Sequence, residues 1–336
     1  KLSMSKKNSN VILKNNFKNY EELSHLYSLF KKRLNSFKKK VFLIAVSGGP
    51  DSLALTALAK SYSYENKCKI YYVLVDHNLR KNSFNEAKSV KRLLKKYKIT
   101  LNILKNKKKI SRNIQSEARE VRYNLLANFC KTKLINNILT AHNLEDQVET
   151  FFIRLSRGSG LQGLSSMKIV SRINGSLNLV RPLLEFKKNQ LIKISQLIFK
   201  RYYKDPSNKN TKYLRTRVRN LKESLETSGI RYDQIFKSIK NLASSRDTLD
   251  QYFKKLYISS SSTDTSNSEL HRKIEQDDKI NAFRLKPPNL CGVFMELYDT
   301  DKIKDMNIAL GRMFNEDTEP PNFGKTHDLL KLFKEN

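Results

Sequence analysis

Apolar positions along the chain switch between two periods, and the switches mark the elements. From Phe17 to Lys38, Leu23, Leu26, Leu29, Phe30, Leu34 and Phe37 fall at helical spacing and predict an amphipathic helix, with His25 at its surface or boundary. Residues 1–16 are polar and basic and are expected to be disordered. Val41–Val46 is a continuous β-branched and apolar run, the pattern of a strand buried on both faces of a parallel sheet. Lys69–Val75, Thr100–Leu104 and Asn137–Thr140 repeat that pattern. Helical patterns lie between the strands, after Pro50, over 83–97 and over 114–130. Strands alternating with helices predict an α/β fold with a parallel, Rossmann-like sheet. Further helical segments cover 190–203, 213–220 and 223–257. Ser259–Ser268 is a low-complexity linker, and Pro287-Pro288 and Pro320-Pro321 break the helical pieces beyond it. The expected organisation is an N-terminal tail and helix (1–40), a catalytic α/β domain (41–222) and a mainly helical C-terminal region (223–336).

Charge adds a partner to this picture. The 336 residues carry 65 Lys+Arg against 32 Asp+Glu, a formal net charge of +33. Part of that excess belongs to a Lys-, Asn- and Ile-rich composition, but Arg also clusters at particular places, which favours a nucleic-acid partner. Cys68, Cys130 and Cys291 lie far apart with no CxxC pair, so neither a zinc knuckle nor an iron–sulfur site is signalled. Free thiols fit a reducing, cytoplasmic location. No apolar run reaches membrane-spanning length, so no membrane association is expected. The chain begins at Lys1, with Met4 as a candidate start, and its last residues read as a helix just begun. The C-terminal region is therefore expected to be incomplete.

The candidate chemistry centres on SGGPDS, residues 47–52. Ser47, Gly48 and Gly49 permit a tight turn after the first strand, Pro50 suits the first helical position, and Asp51 and Ser52 suit the first turn. A strand, a glycine turn and a helix N-terminus together form an anion site. The loop lacks the Gly-Lys-Ser/Thr end of a Walker A motif; an Asp there suggests Mg²⁺ held beside a pyrophosphate. Asp76 and His77 follow the second strand, where a nucleotide crevice opens, although a capping Asp reads equally well. Gln115, Arg119 and Arg122 share one helical face, suited to neutralising a polyphosphate. His142, Asp146 and Glu149 are spaced to share another face, able to hold Mg²⁺ or a substrate cation. Gly/Ser-rich RGSGLQGLSSM (157–167) reads as a closing loop or an ordinary connector. Arg215 and Arg219 lie on one face of YLRTRVRN (213–220), among aromatics, as suits a nucleic-acid backbone.

SGGPDS resembles the pyrophosphate loop of the PP-loop ATP pyrophosphatases, whose fold is adenine nucleotide alpha hydrolase-like. The ordered set SGGPDS, VDHNLRKNS (75–83), QSEAREVRY (115–123), TAHNLEDQVET (140–150), RGSGLQGLSSM, RPLL (181–184) and DPSN…YLRTRVRN (205–220) resembles the tRNA(Ile)-lysidine synthetases over about residues 40–222. Asn143 and Glu145 depart from the family pattern, which usually has His and Asp there, and neither is given a role.

The resemblance implies adenylation of cytidine 34 in a CAU-anticodon isoleucine tRNA by ATP with Mg²⁺, then attack by free L-lysine to give lysidine. It implies ATP binding by Ser47, Gly48, Gly49, Pro50, Asp51, Ser52, Asp76 and His77, with Mg²⁺ on Asp51. Asp51, Arg119, His142, Asp146 and Glu149 are then catalytic, and Arg122, Arg215 and Arg219 bind tRNA. Asp51, His142, Asp146 and Glu149 all remain candidates for the group that accepts a proton from lysine. A homodimer is compatible with the resemblance, and the sequence does not fix the oligomeric state. The rival readings are another PP-loop tRNA-modifying enzyme, such as a 2-thiolase, and an inactive tRNA-binding module.

Overall fold

The computed structural model describes residues 6–80, 82–107, 114–173, 177–203 and 210–261. They fall into two compact units, Lys1–Ile153 with Met167–Tyr232, and Arg154–Ser166 with Asp233–Asn336.

The first unit is built on a six-stranded sheet in the order β3-β2-β1-β4-β6-β5. Its strands are β1 (Val41–Val46), β2 (Lys69–Asp76), β3 (Leu101–Lys105), β4 (Asn137–Leu139), β5 (Val170–Ile173) and β6 (Leu177–Val180). Pairings among β3, β2, β1, β4 and β6 are parallel; β5 runs antiparallel to β6 at the edge. Strands β1 to β4 occupy the runs read from the sequence, with β3 at the sheet edge. The pair β5–β6 was not foreseen, because VSRI and LNLV are short and mix polar with apolar positions.

Alternation along β1 divides the core. Phe42, Ile44 and Val46 join one apolar cluster, with Tyr72 and Leu74 of β2. Helices α1 (Lys6–Lys14), α2 (Glu21–Asn35), α3 (Pro50–Glu65), α4 (Ser83–Lys95) and α8 (Lys188–Phe199) also contribute residues to it. Leu43 and Val73 point the other way, against Leu126 and Cys130 of α5 (Ile114–Lys133). The sheet is thus covered on both faces, as buried parallel strands require.

The expectation of a disordered 1–16 is corrected for residues 6–14, which form α1. Leu13 and Phe17 are fully buried, and Ser61 of α3 donates to the Leu13 carbonyl (2.7 Å) and to Asn16 Oδ1 (2.7 Å). Asn16 in turn meets Glu65, which also takes Tyr27 (3.1 Å) and Lys31.

Between β1 and β4 the strand order reverses. The chain leaves β1 in one direction towards β2 and β3, then returns to β4 on the other side of β1. In open α/β sheets the ligand crevice lies at such a reversal, beyond the carboxyl ends of the strands. There the loop after β1 faces the loop after β4, which leads into α6 (Leu144–Leu155). The first unit ends in α9 (Leu214–Asn220) and α10 (Lys222–Thr227).

In the second unit, α7 (Leu161–Leu164) interrupts the Gly/Ser-rich segment. Arg154 donates to the carbonyls of Gly163 (2.7 Å) and Ser166 (3.2 Å), so this segment is internally braced. Buried Arg246, on α11 (Tyr232–Ser261), donates to Ser165 Oγ (2.5 Å). The expected linker overlaps the end of α11 at 259–261, and the rest of it, with 269–336, Cys291, His271 and His327, lies outside the described residues.

Candidate active site

Gly48 has φ +84°, a backbone conformation that glycine adopts without penalty. A Cβ there would stand 2.6 Å from Cγ2 of Val90, so α4 closes on the loop as only glycine permits. The Gly48 carbonyl accepts from Tyr203 N (3.0 Å). Gly49 caps α3 and Pro50 opens it. The Ser52 hydroxyl then ties the turn together: it accepts from the N–H groups of Ser47 and Gly48 (3.1 Å each) and from Ser47 Oγ (3.0 Å), and donates to the Gly49 carbonyl (3.0 Å). Two backbone donors expected to face a phosphate are therefore spent on Ser52. The first-turn N–H groups of Asp51 and Ser52 keep the free orientation that every helix start provides.

Asp51 is the most perturbed carboxyl of this loop. Burial pushes its pKa up from 3.8 to about 7; Lys188 and Arg219 oppose that shift, while Asp146 and Glu145 add to it. Its Oδ1 is buried with no hydrogen-bond partner among the described residues. A buried carboxylate oxygen left bare in a phosphate-binding turn fits a divalent cation that takes its other ligands from substrate phosphates. No group of three or more His, Cys, Asp or Glu among the described residues could hold a metal by itself. Any Mg²⁺ here therefore depends on the nucleotide.

At the carboxyl end of β4 the sequence reading needs correction. His142 precedes α6, which begins at Leu144, so it does not share a helical face with Asp146 and Glu149. It sits in the connecting loop with Nδ1 2.9 Å from Thr140 Oγ1. Its pKa is driven down to about 3, first by burial and then by Arg181, Arg215, Arg119 and Arg122. A neutral imidazole thus lies in the field of four guanidinium groups drawn from two helices, α5 and α9, and the end of β6. That is a setting for a polyanion.

Arg119 lies over the Tyr123 ring (5.0 Å to its centroid), and Arg122 reaches His77 Nε2 (3.2 and 3.3 Å). His77 is lowered to about 4, by burial and then by Arg122. Asp76 is 3% exposed: its Oδ1 accepts from Asn78 N (3.0 Å), the turn-capping bond, while Oδ2 has no partner among the described residues. Arg181, buried at the end of β6, donates to the Lys168 carbonyl (2.8 Å) and Ser171 Oγ (3.0 Å). Sequence reasoning quoted its RPLL block but gave it no role; the signal available was an Arg following a strand-like LNLV. The DPSN turn, 205–208, lies outside the described residues, as does the side chain of Gln115.

Asp146 and Glu149 part company. Asn143 N donates to Asp146 Oδ2 (3.1 Å) and Asp146 N donates to Asn143 Oδ1 (3.0 Å), a reciprocal cap on α6. Asn143 thereby gains a structural role, and Glu145 gains one too by accepting from Lys188 N (2.9 Å). Glu149, with a 3% exposed side chain, is held by Arg215 Nε (2.8 Å) and by Arg219 through Nε (2.6 Å) and Nη2 (2.9 Å). Both its oxygens are engaged, so it is not a carboxylate facing the crevice. Arg215 and Arg219 likewise point inward to Glu149, with Arg215 also 3.4 Å from Asp146 Oδ1, rather than outward as an RNA surface.

A family model described as a PP-loop domain, an ATP-binding family, matches residues 22–224. The chain belongs to the PP-loop family. Among curated relatives, a tRNA(Ile)-lysidine synthase of Orientia tsutsugamushi (strain Boryong) is 43% identical over 185 residues, 54% of this chain and 41% of that protein. One of Wolbachia pipientis wMel is 39% identical over 212 residues, 62% and 49% of the two chains. One of Rickettsia conorii (strain ATCC VR-613 / Malish 7) is 28% identical over 322 residues, 92% and 61%. The chain thus spans about half the length of the curated relatives it matches. Among solved structures, the U34-tRNA thiolase NcsA from Methanococcus maripaludis, with its 4Fe-4S cluster, aligns at a TM-score of 0.56 and 16% identity. It covers 66% of this chain and 80% of its own, a likeness of fold alone.

Proposed function

We propose that this PP-loop chain is a tRNA(Ile)-lysidine synthetase, which uses ATP and free L-lysine to convert cytidine 34 of a CAU-anticodon tRNA(Ile) into lysidine. One observation carries the reading. In a chain 43% identical over 185 residues to part of a protein of that name, a PP-loop with a bare, buried Asp51 oxygen stands beside a crevice where Arg119, Arg122, Arg181 and Arg215 all act on His142.

The crevice binds the triphosphate by its guanidinium groups and by the first-turn N–H groups of α3. Mg²⁺ would be held by Asp51 together with the phosphates, and when bound it neutralises charge on the departing pyrophosphate. The cytidine C2 oxygen attacks the α-phosphorus, the bond to the β-phosphate oxygen breaks, and pyrophosphate leaves. The lysine ε-amine then adds to C2, the C2–O bond breaks, and AMP leaves with that oxygen. The ε-ammonium, with a pKa near ~10.4, must lose a proton first. Of the four candidate acceptors, His142 is held near 3, Glu149 is locked by two arginines and Asp146 caps α6 with Asn143. Asp51, pushed up to about 7, matches a base working near neutral pH once pyrophosphate has gone. Cytidine 34 must leave the anticodon stack to reach this site. A tRNA substrate also accounts for the +33 charge and implies a cytoplasmic location. No described helix is long and apolar enough to cross a membrane.

Thiolation is the less favoured reading, because it needs reactive cysteines. Cys130 is buried with its thiol pushed up to about 12, and burial also raises half-buried Cys68. The test is the chain with Mg-ATP, labelled lysine and the CAU-anticodon tRNA(Ile). Label is expected in RNA only when all are present. Sulfur incorporation from a persulfide donor, or tRNA binding without pyrophosphate release, would overturn the reading.

A further inference from the structure

We propose that the outer face of α4, with Phe84 at its head, is a docking surface for the RNA substrate: the lysines take the phosphate backbone and the Phe84 ring stacks a base. The inference rests on the RNA-modifying reading above and adds a surface which that reading leaves unassigned.

Phe84, Lys88, Lys91 and Lys95 fall at i, i+4, i+7 and i+11 of α4, one continuous stripe about 16 Å long at ~1.5 Å per residue. All four are exposed, as are Arg92, Lys96 and Lys98, while Ala87, Val90, Leu93 and Leu94 face the core. The helix carries a single acid, Glu86, which lies 3.5 Å from Arg80. Some surface cations elsewhere meet acids: Lys31 with Glu65, Lys193 with Glu22 and Lys222 with Glu145. On α4 they accumulate, and just beyond it Lys98 adds to the burial that lowers the proton affinity of Lys60. A cationic stripe of this kind seeks a polyanion.

Phe84 makes the surface selective for nucleic acid. The ring stands at the helix start and is 37% exposed. Lys88 Nζ lies 4.4 Å from its ring centroid and Lys105 Nζ, at the end of β3, lies 5.4 Å away. Both ammonium groups sit over the ring as cation–π partners; drawn off onto the phosphates of a bound strand, they would yield the ring face to a base, the recurring device of single-strand binding. The placement also serves the reaction. Phe84 follows the loop after β2 and Lys105 closes β3, so both lie at the carboxyl edge of the sheet, where the crevice opens. Val90 of the same helix packs under Gly48, which couples the stripe to the phosphate loop through one rigid element.

The experiment compares the parent chain with Lys88→Gln/Lys91→Gln/Lys95→Gln, Phe84→Ala and Phe84→Tyr. It measures affinity for the CAU-anticodon tRNA(Ile) across a salt series, with Mg-ATP affinity as control. Each lysine that releases a counterion contributes about 0.7–0.9 to the slope of log affinity against log salt, about fivefold at ~0.15 M. The triple variant is expected to bind tRNA at least tenfold more weakly, with a slope shallower by about 2, and to keep its Mg-ATP affinity. Phe84→Ala is expected to lose about fivefold or more at unchanged slope, and Phe84→Tyr to restore it. A parent that binds tRNA with a steep slope, and a triple variant that matches it, would overturn this surface and leave the functional reading standing. A parent that binds no tRNA would overturn both. Loss in the triple variant of binding to phosphatidylserine vesicles or to a polyglutamate peptide, with tRNA binding unchanged, would assign the stripe to another partner and overturn the RNA proposal.

Discussion

At Asp51, stability and catalysis make opposite demands, and replacing it by Asn separates them. In the folded chain its pKa rises from 3.8 to about 7, chiefly through burial. Between those values the folded chain keeps a proton on Asp51 that the unfolded chain has released. Folding stability therefore falls as pH rises through that window, and the loss is complete above about 7. A span of about 3 in pKa at ~1.4 kcal/mol each makes the full cost about 4 kcal/mol, of which about 1.5 kcal/mol is already present at pH 5. Asn has nearly the same shape and no charge to desolvate. Asp51→Asn is thus expected to gain about 2–3 kcal/mol more over the parent at pH 8 than at pH 5. Urea unfolding at the two pH values, followed by circular dichroism, measures this, and the parent-minus-variant difference cancels groups that titrate alike in both. The same variant is expected to lose Mg-ATP-dependent pyrophosphate release by roughly 100-fold or more, as removal of a main electrostatic contact to the reacting phosphates does. Mg-ATP should raise the parent's Tm far more than the variant's. A stability gain equal at both pH values, or a variant less stable than the parent at pH 8, would refute the claim that a desolvated carboxylate waits there for a cation.

Other residues make independent tests. Gly48→Ala meets both a φ of +84° and the Val90 contact at 2.6 Å, so it is expected to cost about 2 kcal/mol and most of the ATP affinity. Val90→Ala in the same chain should recover the contact part in denaturant unfolding, and full recovery would show that backbone strain is absent. Glu149→Gln leaves two guanidinium groups half-buried without their counter-charge and is expected to destabilise by about 3 kcal/mol. A double-mutant cycle with Arg219→Gln that shows no coupling would remove the ion pair from the account. The His142 imidazole is expected to stay neutral from pH 8 down to pH 5 in an NMR titration, and a midpoint near 6.5 would contradict its cationic surroundings.

What the sequence revealed and what it hid follow from the range of the interactions. Strands β1, β2 and β4 were legible because burial on both faces leaves continuous apolar runs, and the edge strand β3 by its short apolar stretch after a helical pattern. SGGPDS was legible because its turn and helix start are local chemistry. Helix α1 was not, since KKNSNVILK is mostly polar and orders only because Leu13 and the nearby Phe17 find a cleft beside α3. Ser52 suited a first turn from sequence, but its hold on two loop N–H groups needs the folded turn to appear. Arg215 and Arg219 read as an outward basic face because Glu149, their partner, lies 66 and 70 positions earlier. Pairing over that distance leaves no local signature.

The fate of the acids around the crevice shows how one site serves opposite charges. Glu149 is neutralised by arginine, Asp146 caps a helix, Glu145 accepts from Lys188 N, and of these four Asp51 keeps a bare buried oxygen, as Asp76 does beyond β2. Had all four faced the crevice, they would repel a triphosphate. Had none remained, nothing would draw a cation to it or accept a proton afterwards. Sequestering three carboxylates leaves the arginines around His142 to act as net positive charge towards phosphate. It also leaves Asp51, in the phosphate loop itself, as the locus for a cation. On this argument, loosening a second carboxylate, as Arg219→Gln would do to Glu149, weakens ATP binding while Arg119, Arg122, Arg181 and Arg215 all stay in place.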